Sequence, residues 1–181
     1  MSNQHYVLLD RDGVINRDSE AFIKTPDEWR PIDGSLEAIA LLNAHDYQVI
    51  VVTNQSGLAR GLLDEPMLEK IHAKMQQLVS KKGGHIAAIY YCPHGPNSAC
   101  DCRKPRAGLL KAFAADFHAD LTTIAVIGDS LRDLQAAEVV GAKPILVKTG
   151  KGQQTLMNNP QLNIPVFETL YDAAKHITSG Q

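Results

Sequence analysis

Two aspartates one residue apart, Asp10 and Asp12, follow the apolar run at residues 7–9 and precede Gly13. The continuous apolar run is typical of a buried strand. Side chains alternate along extended backbone, so both carboxylates are predicted on one side and Arg11 on the other. Carboxylates this close repel each other unless a cation lies between them. The pattern predicts a Mg²⁺ site with one nucleophilic carboxylate; the alternative is an ordinary Asp-Gly turn.

Three cysteines and one histidine form a second cluster, with the spacing C-x-H-x₅-C-x-C at Cys92, His94, Cys100 and Cys102. An odd number of cysteines in one short segment favours metal binding over disulfides. Three thiolates and one imidazole are a closed ligand set for structural zinc, with no position left for water. The alternative is a reduced cysteine cluster without metal. We expect the metal to fix the loop that leads to the next basic pair.

Polar residues also follow the second and fourth predicted strands, at residues 49–52 and 124–127. Thr53-Asn54-Gln55-Ser56 could bind an anion or cap a turn, and Asp129 could bind metal or cap a helix. Arg103-Lys104 could bind phosphoryl oxygens or lie solvated at the surface. Because the carboxyl ends of parallel strands share one edge of a sheet, we expect these groups to converge on one site.

Strand-like apolar runs alternate with helix-period segments along the whole chain. This alternation predicts an α/β fold, a doubly wound, mostly parallel sheet with helices on both faces. Residues 1–181 are expected to form a single domain with no large cap, a flap at about 17–34 and a zinc loop at 92–102. Residues 148–160 are polar and are predicted to be a loop. The predicted helices cover residues 36–42, 64–83, 109–117, 134–140 and 170–177.

Composition excludes several classes of protein. The 181 residues are 44% hydrophobic and 21% charged, with a formal net charge of −2. This balance gives no general basic surface for nucleic acid or an anionic membrane. No apolar run approaches the roughly 20 residues that span a bilayer, and the N-terminus lacks the features of a secretory signal. We therefore expect a cytoplasmic protein, and a monomer, because no exposed apolar stripe is evident.

The motifs, taken in order, resemble those of the haloacid dehalogenase-type phosphatases over nearly the whole chain. The resemblance rests on D-x-D-G, the threonine at a strand end, the lysine and the segment Gly128-Asp129-x-x-x-Asp133. Residues 10–16, 53–61, 91–94 and 100–105 are similar to the branch that contains heptose bisphosphate phosphatases and histidinol phosphatases. The string T-N-Q-S-G-x-A-R-G at 53–61 is typical of the heptose members. The short gap between the two cysteine pairs also resembles histidinol phosphatases.

The resemblance implies a role for each matching residue. Asp10 would attack phosphorus and form an aspartyl-phosphate, while Asp12 would act as general acid and then as general base. Thr53 and Lys104 would bind the phosphoryl oxygens. Asp10, the backbone carbonyl of Asp12 and Asp129 would hold Mg²⁺. The resemblance also implies zinc at the cysteine cluster.

The resemblance also bears on the substrate, which would be a small sugar phosphate. Asp133 is expected to support Asp129 or its loop, and Arg103 or Arg60 to bind a distal phosphate. The implied reaction removes the 7-phosphate of D-glycero-D-manno-heptose 1,7-bisphosphate on the route to ADP-heptose and lipopolysaccharide. Histidinol phosphate or another small phosphomonoester is an alternative, and a non-catalytic module that binds zinc and phosphate is an alternative of another class. Substrate selection is expected from Asp18, Ser19, Glu20, Ala21, Asn54, Gln55, Ser56 and Arg103.

Overall fold

The fold centres on a six-stranded sheet, seen in a computed structural model that describes residues 4–180. The strands are β1 (His5–Leu9), β2 (Tyr47–Asn54), β3 (Ile86–Cys92), β4 (Ala125–Gly128), β5 (Lys143–Val147) and β6 (Val166–Phe167). Their order is β3-β2-β1-β4-β5-β6, and every neighbouring pair is parallel. The predicted doubly wound α/β sheet is confirmed.

Within residues 4–180, six α-helices and two short 3₁₀ turns accompany these strands. The helices are α1 (Ser35–Ala44), α2 (Glu65–Lys81), α3 (Gly108–Phe117), α4 (Leu131–Val139), α5 (Gly152–Asn158) and α6 (Leu170–Ser179). The 3₁₀ turns are Pro26–Glu28 and Leu121–Thr123. None of the helices between residues 4 and 180 combines the length and apolar character that crossing a bilayer requires.

Two buried cores lie on opposite faces of the sheet, because strand side chains alternate between faces. Val7 and Leu9 pack with α1, α2 and α6, whereas Leu8 packs with α3 and α4 on the other side. All three side chains are fully buried. Burial on both faces explains why the strand reads as a continuous apolar run and not as an alternating one.

Helix α2 begins and ends where its sequence predicts. The side chain of Asp64 accepts a hydrogen bond of 2.9 Å from the backbone N–H of Met67, and Pro66 lies in the first turn. Gly83 follows the helix with a φ of 82°, a left-handed conformation that glycine adopts without steric cost. Local capping chemistry therefore fixes both ends of this helix.

The structure forms helix α5 where the polar sequence predicts a loop. The apolar side chains of this helix are Leu156 and Met157. The hydroxyl of its Thr155 donates to the backbone carbonyl of Asp129 at 2.9 Å, in a buried contact. A tertiary hydrogen bond, which periodicity does not reveal, attaches this short helix to the sheet edge.

The segment at residues 17–34 is irregular, as predicted, but it is anchored at its base. Trp29 is fully buried. The ammonium of Lys74 on α2 donates to the carbonyls of Pro26 at 2.6 Å and of Trp29 at 2.9 Å. These contacts hold the second half of the segment against α2, so the first half is the part available to the site.

The order of the strands reverses between β1 and β4. From β1 the chain runs outward through β2 and β3, then crosses to β4 on the other side of β1. In sheets of this type, ligands bind at the carboxyl ends of the strands beside such a reversal. Asp10, Thr53 and Asp129 lie at this edge, which brings together residues that are far apart in the sequence.

We predict that Phe113→Ala lowers the free energy of unfolding by about 3–5 kcal/mol, the usual cost of emptying a buried aromatic site. Phe113 is fully buried and packs against the rings of Tyr6, Tyr90 and Phe117. Urea denaturation measures the change. The matched control is Val139→Ala, because this side chain is 66% exposed and should cost little. Equal losses in the two variants would contradict the prediction.

Candidate active site

A buried ammonium lies between two carboxylates at the centre of the sheet edge. Lys104 is 2% exposed, and its Nζ donates to Asp10 Oδ1 at 3.1 Å, Asp133 Oδ1 at 2.6 Å and the carbonyl of Val52 at 2.9 Å. Burial alone would favour a neutral amine, but the two carboxylates raise the pKa of Lys104 above its ordinary value. The lysine therefore remains a cation beside Asp10.

Three carboxylates converge here against this one ammonium. Oxygen atoms of Asp10, Asp129 and Asp133 lie within 4.8 Å of one another. Burial and the charge of Asp133 raise the pKa of Asp10 to about 7, although Lys104 opposes the shift. Burial and the charges of Asp10 and Asp133 raise the pKa of Asp129 to about 8. Such uncompensated negative charge on hard oxygen donors fits a divalent cation such as Mg²⁺.

The surroundings of Asp12 favour its ionised form, whereas those of Asp10 disfavour it. Burial disfavours its charge, but the guanidinium of Arg11 and hydrogen bonds from Asn16 and Gln55 hold the pKa of Asp12 below its ordinary value. Asn16 Nδ2 donates at 2.9 Å and Gln55 Nε2 at 3.1 Å. Asp12 is therefore ionised by its protein neighbours, without needing a metal ion.

The predicted position of Arg11, on the opposite side from the aspartates, is wrong. Its side chain is fully buried and forms an ion pair with Asp12. The alternation rule fails because the strand ends at Leu9 and the next residues form a turn. In this turn the N–H of Ile15 donates to the carbonyl of Arg11 at 2.9 Å, and Gly13 has a φ of 85°.

The polar residues after β2 connect the parts of the site. Thr53 is buried and lines the cleft. Its hydroxyl oxygen accepts a hydrogen bond of 2.9 Å from Gln55 Nε2. Asn54 binds the backbone of Lys104 from both sides, accepting from its N–H at 3.0 Å and donating to its carbonyl at 3.2 Å. Ser56 also lines the cleft. Asn54 thus fixes the loop that carries the lysine, in addition to facing the cleft.

The segment after β4 holds Asp129 in a narrow space. A Cβ at either Gly13 or Gly150 would collide with the Asp129 carboxylate, and both glycines have positive φ. The backbone N–H of Lys151 donates to Asp129 Oδ2 at 2.9 Å. The N-cap of α4 is Ser130, so Asp129 is not a helix cap and its carboxylate faces the cleft.

Asp133 supports the loop that carries Asp129, which is one of its two predicted roles, and it also pairs with Lys104. Its Oδ1 accepts from Lys104, and its Oδ2 accepts from the backbone N–H and the hydroxyl of Ser130 at 3.1 and 2.8 Å. A single carboxylate therefore both caps α4 and pairs the buried ammonium. It therefore orients the lysine as well as the loop after β4.

The four predicted zinc ligands lie together at the end of β3. Cys92 Sγ is 3.8 Å from Cys100 Sγ and 3.4 Å from His94 Nδ1, which is 3.3 Å from Cys102 Sγ. Bonds of about 2.0–2.3 Å to a tetrahedral zinc place ligands about 3.3–3.8 Å apart. Cys92 and Cys102, at 2.9 Å, are closer than that. The set could hold zinc with four protein ligands and would then brace the loop that precedes Lys104.

Three of the four predicted flap residues, Asp18, Ser19 and Glu20, line the cleft. Ala21 does not, and lies with Asp18 and Ser19 at a second pocket beside Lys24. The prediction that Ala21 belongs to the site is not reflected in the geometry. Ala21 precedes the residue that turns inward, since Phe22 has a φ of 65° and lines the cleft.

The cations of the cleft differ partly from those predicted. Arg103 lines the cleft and donates to the carbonyl of His94 at 3.3 Å. The guanidinium of Arg60 lies 5.3 Å from the centre of the Phe22 ring, outside the cleft lining. Arg132 and Lys151 line the cleft and were missed, because no strand end or motif marked them. Arg132 could have been found only by noting that it lies in the first turn of the helix that follows Asp129.

Comparisons with known proteins agree with this geometry. A family model described as polynucleotide kinase 3 phosphatase matches residues 7–136, and one described as HAD-hydrolase-like matches residues 101–173. A D-glycero-beta-D-manno-heptose-1,7-bisphosphate 7-phosphatase from Pseudomonas putida is 48% identical over 171 residues, 94% of this chain and 98% of the relative. The enzyme of that name from Pseudomonas aeruginosa is 53% identical over 150 residues, 83% of this chain and 84% of the relative.

A solved structure is similar over almost the whole fold. The crystal structure of D,D-heptose 1,7-bisphosphate phosphatase from B. bronchiseptica, complexed with magnesium and phosphate, has a TM-score of 0.95 and 46% sequence identity. The match covers 98% of this chain and 99% of that chain. Fold, site and similarity together define a phosphatase of the haloacid dehalogenase type. Within that class, the chain belongs to the D-glycero-beta-D-manno-heptose-1,7-bisphosphate 7-phosphatase family.

We predict that Mg²⁺ raises the melting temperature more at about pH 8 than at about pH 5. The folded-state pKa values of Asp10 and Asp129, about 7 and 8, lie above the ordinary value of 3.8. Their contribution to stability is therefore present at low pH and is lost as the pH rises through 7–8. At the higher pH the ionised carboxylates repel, and a cation relieves this repulsion. Scanning calorimetry with and without Mg²⁺ measures the difference.

The control for this prediction is Asp129→Asn, which removes one proposed metal ligand and should reduce the Mg²⁺ effect at both pH values. Comparing samples that differ only in Mg²⁺ cancels the pH dependence of the zinc ligands. A gain in melting temperature that is equal at both pH values would contradict the prediction.

We predict that Cys100→Ser loses bound zinc and lowers kcat/KM, because the loop that carries Arg103 and Lys104 loses its metal brace. Metal analysis of the purified protein should fall from about one zinc per chain to well below one. The matched control is Ala99→Ser, which adds a hydroxyl at an exposed position of the same loop and keeps all four ligands. Full zinc content in Cys100→Ser would show that the cluster is not a closed zinc site.

Proposed function

We propose that this protein removes the 7-phosphate from D-glycero-D-manno-heptose 1,7-bisphosphate in the synthesis of ADP-heptose for lipopolysaccharide. The observation that carries the proposal is the site at the sheet edge: Asp10 beside a buried Lys104, within reach of Asp129. The names of the relatives that are 48–53% identical support the choice of substrate.

The nucleophile in this proposal is Asp10. Its Oδ1 is fixed by Lys104 and by the backbone N–H of Arg11, at 3.1 and 2.9 Å. Asp10, Asp129 and the backbone carbonyl of Asp12 would hold Mg²⁺, which supplies positive charge that lets a carboxylate approach a phosphate. Lys104 and the hydroxyl of Thr53 bind phosphoryl oxygens, and their charge and dipole stabilise the transferring group.

The proton transfers in this proposal belong to Asp12. Bond formation from Asp10 to phosphorus breaks the ester bond, and the leaving sugar oxygen takes a proton from Asp12. The free carboxylate must first take that proton from solvent, or keep the one taken from the hydrolytic water of the previous turnover, and an arriving phosphate favours this because its charge disfavours ionisation. Asp12 then takes a proton from the water that hydrolyses the aspartyl-phosphate. The ion pair with Arg11 suits this base role.

The remaining cations of the cleft suit a substrate with two phosphates. Arg103, Arg132 and Lys151 line the cleft apart from the buried Lys104. We propose that they bind the distal phosphate, while Asp18 and Glu20 accept hydrogen bonds from sugar hydroxyls. Lys151 Nζ lies 3.5 Å from Asp18 Oδ2, so the flap and the loop after β5 approach each other across the cleft.

Two other substrates should be compared with the heptose bisphosphate. Histidinol phosphate fits the same chemistry, and the compact cysteine loop resembles that of its phosphatases. A 3′-phosphorylated oligonucleotide is suggested by the family model that matches residues 7–136. The formal net charge of −2 opposes this last substrate, because binding to nucleic acid usually depends on a basic surface.

We also propose that residues 1–181 act as one catalytic domain and as a monomer in the cytoplasm, without a nucleic-acid or membrane partner. Exposed large apolar side chains lie on separate elements, at Leu62, Val139, Met157 and Tyr171, which is unlike an interface patch. A thiolate cluster that binds zinc suits a reducing compartment.

We predict that heptose 1,7-bisphosphate gives the highest kcat/KM in a panel with histidinol phosphate and a 3′-phosphorylated oligonucleotide. Phosphate release with Mg²⁺ measures the rates, both heptose anomers are included, and ³¹P NMR of the product should show a retained 1-phosphate. Faster turnover of histidinol phosphate or of the oligonucleotide would overturn the substrate assignment and leave the phosphatase chemistry intact.

The matched variant for this panel is Asp10→Asn, which removes the nucleophile with little change in shape. We expect it to lower kcat by about 10⁴-fold or more on every substrate, since loss of a nucleophile has effects of this size. Its melting curve should remain cooperative. A variant with a near-normal rate would show that another group attacks phosphorus. No turnover of any substrate by the unmodified protein would favour the non-catalytic binding module.

A further inference from the structure

Arg11 is a buried charge to which the proposed reaction gives no direct role. The residue stands between the two reacting aspartates in the sequence, and its side chain exposes no surface. A guanidinium cannot lose its charge in a protein, so burying it is costly unless its N–H groups are paired. The pairs that Arg11 makes therefore show what the buried charge is held against.

The guanidinium of Arg11 donates hydrogen bonds to both carboxylate oxygens of Asp12. Nε lies 3.0 Å from Asp12 Oδ1, and Nη2 lies 2.9 Å from Oδ1 and 3.2 Å from Oδ2. Contacts with both oxygens restrict the orientation of a carboxylate as well as its position. Nη2 also donates to Gln55 Oε1 at 3.3 Å, and Gln55 Nε2 in turn donates a hydrogen bond to Asp12 Oδ2. Asp12 still lines the cleft, with 23% of its side chain exposed.

The far side of the guanidinium is held by a histidine from α2. His72 is buried, and its Nε2 lies 3.1 Å from Arg11 Nη1. Because arginine has only donors, His72 Nε2 must be the acceptor, so the ring is neutral with its proton on Nδ1. Burial and the charge of Arg11 lower the pKa of His72 to about 3, which agrees with a neutral ring.

We propose that Arg11, backed by His72, is a positioning residue that holds the carboxylate of Asp12 in line with the leaving oxygen of the substrate. The row of contacts runs from helix α2 through His72 and Arg11 to Asp12. The side-chain contacts of this row orient the proton-transferring group, whereas the backbone N–H of Arg11 donates to the nucleophile, Asp10 Oδ1, at 2.9 Å. The inference rests on the proposed role of Asp12 as general acid and base.

This arrangement predicts a defect that depends on the leaving group. Cleavage of a sugar phosphate releases a poor leaving group that needs a proton, whereas p-nitrophenyl phosphate releases a stable anion that needs little help. The quotient kcat/KM reports the steps up to ester cleavage, before water attacks the aspartyl-phosphate. A misdirected Asp12 should therefore slow the sugar phosphate selectively in kcat/KM.

The test compares His72→Leu with His72→Gln on both substrates. Leucine leaves Nη1 of Arg11 unpaired, whereas the side-chain carbonyl of glutamine can still accept from it. For His72→Leu we expect kcat/KM to fall by about 10-fold or more on the sugar phosphate and by less than about 3-fold on p-nitrophenyl phosphate. For His72→Gln, kcat/KM should stay within about 3-fold of the value for the unmodified protein on both substrates.

Arg11→Lys provides a second test that does not depend on His72→Leu folding. It keeps a positive charge, but one ammonium cannot contact both carboxylate oxygens in the plane, so the same selective loss is expected. The control on α2 is Gln76→Leu, which removes a hydrogen bond of 3.1 Å to the carbonyl of Ile86 away from the site. The ratio of the kcat/KM values for the two substrates should be the same in Gln76→Leu as in the unmodified protein.

An equal fall on both substrates, or no rescue by glutamine at position 72, would overturn the proposal in favour of a packing role. An unchanged ratio of the two kcat/KM values in Arg11→Lys would also overturn the proposal. The measurement uses whichever sugar phosphate the unmodified protein hydrolyses. A wrong heptose assignment would therefore appear in the unmodified protein, whereas a wrong role for Arg11 would appear only in the variants.

Discussion

The site depends on a buried ammonium shared between two carboxylates. Lys104 is held by Asp10 and Asp133, and Asp129 lies within the same group of oxygens. Removing the lysine would leave buried negative charges without a partner, a situation that proteins tolerate poorly. With it, three carboxylates and one ammonium leave two negative charges, which a divalent cation balances. The lysine thus sets the charge of the site as well as contacting the nucleophile.

The position of that lysine is secured by elements remote in sequence. Asn54, at the end of β2, binds its backbone on both sides. The four-ligand cluster at the end of β3 lies immediately before it along the chain and could hold zinc. Asp133, in the first turn of α4, accepts from its ammonium. The ends of two strands and one helix therefore hold a single residue, and a loop without regular structure acquires a fixed conformation.

The sequence was informative where local chemistry decides the structure. Apolar runs and helix periods predicted a doubly wound, mostly parallel sheet and nearly all of its elements, and Asp64 and Gly83 marked the ends of α2. Strand ends with carboxylates, together with the sheet rule, predicted where the site lies. Sequence reasoning was less informative where a tertiary contact decides the outcome. Helix α5 is fixed by a hydrogen bond from Thr155, and Arg11 turns back to Asp12 because the strand has already ended.

The two aspartates of the motif, though nearly adjacent, are governed by different neighbours. Asp12 has its own guanidinium and amide donors, so the protein alone keeps it ionised. Asp10 shares its lysine with Asp133, and burial raises its pKa to about 7 in the absence of a metal ion. It follows that a cation acts mainly on the nucleophile, whereas the proton-transferring group is already set by the fold. The spacing of one residue is what allows two carboxylates at a single strand end to be controlled separately.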